Sequence, residues 1–175
     1  MTQAADAGAA EAMFAADEAS RRLGIRLLSS GDGAARLRMT VTPEMVNGHG
    51  IAHGGYLFLL ADTAFACACN SRGPVTVAAG ADISFVSPVR VGEELTALAT
   101  ERVRYGRSGI YDVSVLRDGE VVAEFRGRSR VVGDRAAADR TDAADRPAPD
   151  DPASHDLAPD DSAEYEPAPY EGELP

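Results

Sequence analysis

A single carboxylate interrupts the most apolar stretch of the chain. Residues 54–69 read GGYLFLLADTAFACAC, which predicts a buried helix, and Asp62 is the one charged residue within it. An ionised carboxylate taken out of water without partners costs several kcal/mol or more, so packing alone rarely retains one there. Asp62 is therefore a candidate for chemistry. The structural alternative is a side chain bonded to nearby backbone or to the Thr63 hydroxyl.

A glycine-rich loop precedes this helix. Residues 47–55 read NGHGIAHGG. Glycines let the backbone approach a ligand closely, and free N–H groups at a helix N-terminus favour a developing negative charge. Such a loop can serve as an oxyanion hole, although many glycine-rich loops are only tight turns. Its coupling to a carboxylate eight residues beyond Gly54 makes the signal much more specific.

Several motifs follow one another at consistent spacing over roughly residues 10 to 133. They are Asn47, His53–Gly55, Leu60–Ala64, Ala68–Ser71, Ile83–Pro88, Gly109–Val113 and Phe125–Ser129. This set resembles the signature of the hotdog-fold thioesterases of the phenylacetic acid degradation type. The resemblance implies an α+β hotdog fold, with an antiparallel sheet wrapped around one long central helix. It also implies an acyl-CoA thioesterase without a cofactor.

The resemblance assigns roles within the loop and the helix. Gly54 would donate its backbone N–H to the thioester carbonyl, with Gly55 beside it in the substrate-binding loop. Asp62 would be the nucleophile or the general base. Asn47 would hold the attacking water or the thioester oxygen, or else be a left-handed turn residue. His53 would brace the loop or approach the carbonyl.

Further substrate contacts follow from the same resemblance. Some family members carry a Ser or Thr on the strand after the helix, but residues 77–81 read VAAGA, so Thr63 or Asn47 would have to replace that hydroxyl. Coenzyme A carries phosphates, for which Arg is the natural fork. Arg107 and Arg128 are the candidates for that contact.

The substrate expected from the resemblance is an aryl-acyl-CoA, phenylacetyl-CoA or a hydroxylated derivative, hydrolysed to the acid and coenzyme A. Alternatives are hydroxybenzoyl, dihydroxynaphthoyl or medium-chain fatty acyl groups. A noncatalytic acyl-CoA-binding hotdog protein is a further alternative. A hotdog hydratase would want a His five residues after the Asp, and Cys67 at that position argues against it.

A metal site is not expected. His49 and His53 are four residues apart, but the intervening glycines disfavour a helix there and no third ligand lies nearby. Cys67 and Cys69 point in different directions on a helix, which favours core packing over a disulfide or a metal pair.

The spacing of Gly54 and Asp62 bears on assembly. Eight helical residues at about 1.5 Å each separate their backbones by roughly 12 Å. One thioester carbonyl cannot touch both groups of the same chain. We therefore expect the two groups to come from two subunits across a twofold axis, so that a homodimer is required. The resemblance adds a homotetramer as the usual assembly.

The negative charge lies almost entirely in the C-terminal tail. Of the net charge of −11, residues 134–175 carry −10 and residues 1–133 carry −1. The tail is rich in Ala, Asp and Pro, and Leu157 and Leu174 are its only large aliphatic residues. The sequence predicts one thioesterase domain over 1–133 and a disordered tail over 134–175. It predicts a cytoplasmic protein with no membrane span and no nucleic-acid partner.

Hydrophobic periodicity predicts the elements that hold the site. A helix is expected over 8–22 and the long central helix over about 54–71. Asp118 and Gly119 predict a two-residue hairpin turn. Strands are expected over the alternating runs 25–31, 34–42, 76–88, 92–105, 109–117 and 120–132.

Overall fold

Six antiparallel strands and one long helix form the body of the protein. The computed structural model describes residues 7–133. The strands are β1 (Arg26–Gly31), β2 (Ala34–Thr40), β3 (Val75–Phe85), β4 (Glu94–Tyr105), β5 (Ser108–Arg117) and β6 (Glu120–Gly133). They lie in the order β1-β2-β4-β5-β6-β3, which places β3 at one edge. Helix α3 (Gly54–Asn70) packs on one face of this sheet. The predicted α+β architecture is confirmed.

Alternation along each strand decides which side chains face the helix. In β2, Ala35, Leu37 and Met39 are buried, while Arg36 is exposed and Arg38 is only partly buried. Successive side chains of a strand point to opposite faces, so one face of the sheet becomes apolar and covers α3. Ten of the 17 residues of α3 are buried in the resulting core.

The predicted helix over residues 8–22 is wrong in one respect. The structure divides it into α1 (Ala7–Ala16) and α2 (Glu18–Arg22). Asp17 has extended backbone angles, and its side chain accepts a hydrogen bond from the Ser20 N–H at 3.0 Å. A short carboxylate competes for backbone N–H groups, so Asp17 ends one helix and caps the next.

The strand predictions are confirmed in number, with shifted ends. β3 ends at Phe85 rather than 88, and β2 ends at Thr40 rather than 42. A short 3₁₀ helix, Pro43–Met45, was not predicted, although proline favours the first position of such a turn. The hairpin turn is confirmed, since Asp118 and Gly119 both have positive φ, 51° and 87°.

Side chains at the C-terminal end of α3 fix its position on the sheet. The Asn70 amide donates to the Thr76 carbonyl at 2.8 Å and accepts from the Thr76 N–H at 3.0 Å. Arg72 pairs with Glu101 at 3.0 Å, and the same carboxylate accepts from the Tyr111 hydroxyl at 3.0 Å. These contacts hold the far end of the helix that carries the candidate site.

The two cysteines of α3 are free thiols. Cys67 and Cys69 are both buried. Burial raises the pKa of each thiol to about 12, so both are protonated near neutral pH and unreactive. Core packing, as predicted, is confirmed.

The predicted tail, residues 134–175, lies outside the described residues. Within residues 7–133, no helix is long and apolar enough to cross a membrane. Strand β6 ends at Gly133, the last residue of the predicted domain.

Truncation after Gly133 should leave folding and activity unchanged, because the deleted residues carry almost no large apolar side chains with which to contribute to a core. Thermal melting and thiol release by the two proteins, measured side by side, check this. Loss of cooperative melting or of activity would show that the tail contributes to the domain.

Candidate active site

The loop before α3 is a closed turn built around Asn47. The Asn47 N–H donates to the Ile51 carbonyl at 2.8 Å, and its side-chain oxygen accepts from the His49 N–H at 2.9 Å. The left-handed residue is Gly50, at φ 72°, whereas Asn47 does not have positive φ. The left-handed alternative for Asn47 is therefore wrong. Asn47 organises the loop through hydrogen bonds.

His53 is the N-cap of α3. Its Nδ1 accepts from the Gly55 N–H at 3.0 Å. A ring nitrogen that accepts carries no proton, so this geometry corresponds to the tautomer protonated on Nε2. The bracing role expected for His53 agrees with this contact. The Gly55 N–H is committed to His53, so the structure does not offer it to a substrate.

Gly54 presents the free donor of the loop. It is the first residue of α3, and within residues 7–133 its N–H has no hydrogen-bond acceptor. The backbone N–H groups of a first helical turn have no partners inside the helix, and the helix dipole favours negative charge beside them. This N–H can therefore stabilise a developing oxyanion.

A pocket of about 370 Å³ opens beside Gly54. Asn47 and Gly54 line it, and the other lining side chains are largely apolar: Ile51, Leu57, Phe85, Val86 and Val89. The tip of the Phe85 ring lies directly against Gly54, where a Cβ atom would be 2.6 Å from ring Cζ. Any side chain at position 54 would therefore have to displace this ring.

Asp62 lies on the strip of α3 that the rest of the described chain covers least. Gly55, Phe58, Asp62 and Ala66 form this strip, one helical turn apart, and Phe58 is 36% exposed. The apolar composition of α3 predicted a buried helix, but this strip leaves one side of the helix partly exposed. Desolvation raises the pKa of the Asp62 carboxyl, and the negative charge of Asp17 raises it further.

The carboxylate of Asp62 has no hydrogen-bond partner within residues 7–133. The structural alternative, a bond to nearby backbone or to Thr63, is contradicted. A half-buried carboxylate with a raised pKa and no partner is suited to proton transfer or nucleophilic attack. Asp62 does not line the pocket at Gly54, so within one chain the donor and the carboxylate are apart.

Comparison with known proteins places this geometry in a family. A model of the thioesterase superfamily matches residues 49–124. Acyl-coenzyme A thioesterase PaaI of Escherichia coli (strain K12) is 45% identical over 125 residues, which are 71% of this chain and 89% of PaaI. The chain belongs to the acyl-CoA thioesterases of the PaaI type. It is a thioester hydrolase.

Solved structures agree with this thioesterase assignment. The structure of the E. coli PaaI protein from the phenylacetic acid degradation operon superposes with a TM-score of 0.72 at 43% identity, over 74% of this chain and 94% of that one. A variant of the phenylacetic acid degradation protein PaaI of Thermus thermophilus gives 0.64 at 35% identity, over 66% and 100%. The predicted hotdog fold is confirmed.

The Thr63 hydroxyl of this thioesterase is engaged within the described chain. This buried hydroxyl donates to the Leu59 carbonyl at 2.8 Å and lies 2.9 Å from the Ser20 hydroxyl. The substrate-binding role expected for Thr63 is therefore not supported. Of the two residues expected to replace the missing strand hydroxyl, Asn47 remains, since its amide nitrogen has no partner in the described part of the chain.

The two candidate arginines of the thioesterase are engaged elsewhere and do not line the pocket. Arg107 donates from Nε and Nη2 to the Val131 carbonyl, at 3.1 and 2.9 Å. Arg128 forms an exposed ion pair with Asp82 at 2.6 Å. Neither residue is placed against Gly54 or Asp62 within the chain.

Sequence reasoning missed two residues of the site region, Phe85 and Asp17. Phe85 lies within a motif that supported the resemblance, but its contact with Gly54 spans 31 positions and could not be read from local pattern. Asp17 was missed because the sequence predicted one continuous helix over residues 8–22, with Asp17 inside it. No group of three His, Cys, Asp or Glu side chains able to hold a metal ion occurs in residues 7–133.

Proposed function

We propose that this thioesterase hydrolyses an aryl-acyl-CoA, phenylacetyl-CoA or hydroxyphenylacetyl-CoA, to the free acid and coenzyme A. The observation that carries the proposal is the apolar pocket beside the free N–H of Gly54. A flat aromatic acyl group fits walls of aliphatic side chains and the Phe85 ring, whose edge can meet another ring. The relationship to PaaI supports a role in phenylacetate catabolism.

In the proposed reaction, Gly54 is the hydrogen-bond donor and Asp62 is the general base. The thioester carbonyl oxygen accepts from the Gly54 N–H. Asp62 as general base takes a proton from water while the water oxygen attacks the carbonyl carbon. The Gly54 N–H and the helix dipole stabilise the tetrahedral oxyanion. Its collapse breaks the C–S bond, and the coenzyme A thiolate recovers the proton from Asp62.

Asp62 as nucleophile is the second form of the same proposal. Its carboxylate oxygen would attack the carbonyl carbon, expel the thiolate and leave an acyl anhydride that water hydrolyses. Both forms need an ionised Asp62 and the Gly54 donor. We propose that the Asn47 amide N–H orients the attacking water or the thioester oxygen and that His53 holds the loop in shape.

We propose that the working unit is a dimer in which Asp62 of one subunit meets Gly54 of the other. The β3 edge is unpaired in the described chain, and its apolar side chains are accessible, with Val77 45% and Phe85 55% exposed. An unblocked edge strand is a template for a second chain. Antiparallel pairing of two β3 edges would cover this strand and the strip around Phe58 and Asp62.

The assembly and the coenzyme A contacts extend this proposal. A tetramer of two such dimers rests on the family resemblance. Arg107 and Arg128 are the candidates for binding the phosphates of coenzyme A. An exposed ion pair is worth about 0–1 kcal/mol, so a phosphate could displace Asp82 from Arg128. We propose a cytoplasmic location, which agrees with the two free thiols of α3.

The function is tested by thiol release over a panel of acyl-CoA thioesters. Phenylacetyl-CoA and hydroxyphenylacetyl-CoA should give the highest kcat/KM, ahead of hydroxybenzoyl-, dihydroxynaphthoyl- and medium-chain fatty acyl-CoA. A higher value for one of the latter group would reassign the acyl group. Binding of acyl-CoA without turnover of any thioester would favour the noncatalytic alternative.

The shared site predicts complementation between two inactive variants. Asp62→Asn removes the carboxylate, and Gly54→Pro removes the donor N–H. Random mixing gives about half heterodimers, each with one intact site of two, so activity should recover to roughly a quarter of wild type. Each variant alone is the control, and mass spectrometry of differently tagged chains verifies exchange. An exchanged mixture that stays inactive would place the whole site within one chain.

A further inference from the structure

A chain of hydrogen bonds links the start of α2 to α3 beside the proposed base. The Asp17 carboxylate accepts from the Ser20 N–H at 3.0 Å and from the Ser20 hydroxyl at 2.5 Å. The Ser20 hydroxyl lies 2.9 Å from that of Thr63, which donates to the Leu59 carbonyl at 2.8 Å. Both hydroxyls are buried. Thr63 follows Asp62 directly, so this chain ends at the turn that carries the carboxylate.

Asp17 determines which hydroxyl donates to which oxygen along this chain of hydrogen bonds. Three oxygen–oxygen contacts contain only two hydroxyl protons. The Asp17 carboxylate is an acceptor only, so it draws the proton of Ser20. The single proton of Thr63 then serves both the Leu59 carbonyl and the Ser20 oxygen. Asp17 thus sets the donor direction of the whole chain.

Asp17 is also the charged group that acts on Asp62. Burial raises the pKa of Asp62 first, and the Asp17 charge raises it second. Other titratable groups also lie on the elements that pack against α3, among them Glu11 on α1, Glu18, Arg21 and Arg22 on α2, Tyr56, Cys67 and Cys69 on α3 itself, and Glu101 and Tyr111 on the sheet.

We propose that Asp17 is a positioning residue for Asp62, which it serves in two ways: it holds the turn of α3 through Ser20 and Thr63, and it places a fixed negative charge towards the carboxylate. The proposal rests on the proposed role of Asp62. A base that binds its proton more tightly, yet is still ionised at the working pH, abstracts a proton more effectively. The break between α1 and α2 therefore serves the reaction as well as the fold.

Asp17→Asn separates charge from structure. Asn is as good an N-cap as Asp, because its amide oxygen can accept the Ser20 N–H. Its amide nitrogen can donate to the Ser20 oxygen, and the Ser20 proton then passes to Thr63. The hydrogen-bond chain is preserved with its direction reversed, and only the negative charge is lost.

The expected result is a displaced pH profile. Removing a neighbouring negative charge lowers the pKa of Asp62, so the acidic limb of the kcat profile should move to lower pH. The plateau kcat should fall while KM stays the same, because the base is weaker. Glu11→Gln is the matched control: it removes one negative charge from α1 and keeps an acceptor for the Ser30 hydroxyl. Its acidic limb should stay in place.

Ser20→Ala tests the hydrogen-bond link alone. It removes the hydroxyl and keeps both the cap N–H and the Asp17 charge. We expect a lower kcat with an unmoved acidic limb and unchanged KM. An unchanged kcat in this variant would show that the hydrogen bonds from Asp17 through Ser20 to Thr63 do not position Asp62.

A titration without substrate separates this proposal from the proposed function. The carboxyl carbon of Asp62, observed by NMR and assigned by its loss in Asp62→Asn, should titrate at lower pH in Asp17→Asn than in wild type. If wild type hydrolyses no acyl-CoA, the proposed function fails, yet this titration still reports on Asp17. An Asp62 titration that is the same in both proteins would overturn the inference.

Discussion

Replacing Asp62 with asparagine should lower kcat by about 10²-fold or more with little change in KM. The variant nearly preserves volume and removes the carboxylate that is proposed to act as base or nucleophile on the thioester. Asp118→Asn is a suitable control, since asparagine also accepts the left-handed backbone of that turn. Initial rates of thiol release for the three proteins check the expectation. Asp62→Asn with near wild-type kcat would exclude a catalytic role.

The melting temperature of Asp62→Asn shows whether the variant is folded, and we expect it to differ from that of wild type. The pKa of Asp62 is raised in the folded protein, so the ionised carboxylate opposes folding above the ordinary Asp value of 3.8. Asp62→Asn should therefore melt at a higher temperature than wild type at neutral pH. The difference should shrink as the pH falls towards 3.8. An inactive but more stable variant would indicate that Asp62 is retained for activity at a cost in stability.

Gly54→Pro should also lower kcat, by about 10²- to 10³-fold, because it deletes the N–H proposed to hold the oxyanion. The position suits proline for two reasons. Gly54 is the first residue of α3, where no intrahelical hydrogen bond is lost. His53 before it has φ −66° and ψ 130°, which a residue preceding proline readily adopts.

Gly54→Ala is the matched control for that variant. Alanine keeps the N–H but adds a Cβ atom where the Phe85 ring tip now lies, 2.6 Å away. Since Phe85 is half exposed, its ring can swing aside, so alanine reports the effect of crowding alone. The ratio of the kcat of Gly54→Ala to that of Gly54→Pro then measures how much the backbone N–H at position 54 contributes to kcat. Equal rates for the two variants would mean that the Gly54 N–H does not stabilise the transition state.

Local pattern was enough to predict most of the fold. The alternation in β2, the apolar composition of α3 and the Asp118–Gly119 turn each follow from periods and backbone preferences that a short window contains. The break at Asp17 does not, because the Ala-rich residues 7–16 before it and the residues 18–22 after it, which read EASRR, are both compatible with one continuous helix. Only the capping contact with Ser20 shows where one helix ends and the next begins.

The sequence pattern singled out the two principal residues of the candidate site, Gly54 and Asp62, but not the residues around them. Asp62 stood out because a carboxylate in an apolar helix is costly. Thr63 and Gly54 each have one contact with a residue distant in sequence: Ser20 lies 43 positions from Thr63, and the ring of Phe85 against Gly54 comes from the end of another element. Such contacts depend on tertiary packing, which the local pattern does not encode.

The position of β3 in the sheet has a consequence for how the protein folds. Phe85 pairs with Ala123 and Val75 with Gly133, so the sequence separation along this ladder grows from 38 to 58 residues. The β4–β5 and β5–β6 hairpins are local and should form first, whereas β3 can dock only after β6 is in place. Until then its apolar residues stay accessible to other chains. Slow docking of β3 would make aggregation during expression more severe at high temperature and at high synthesis rates.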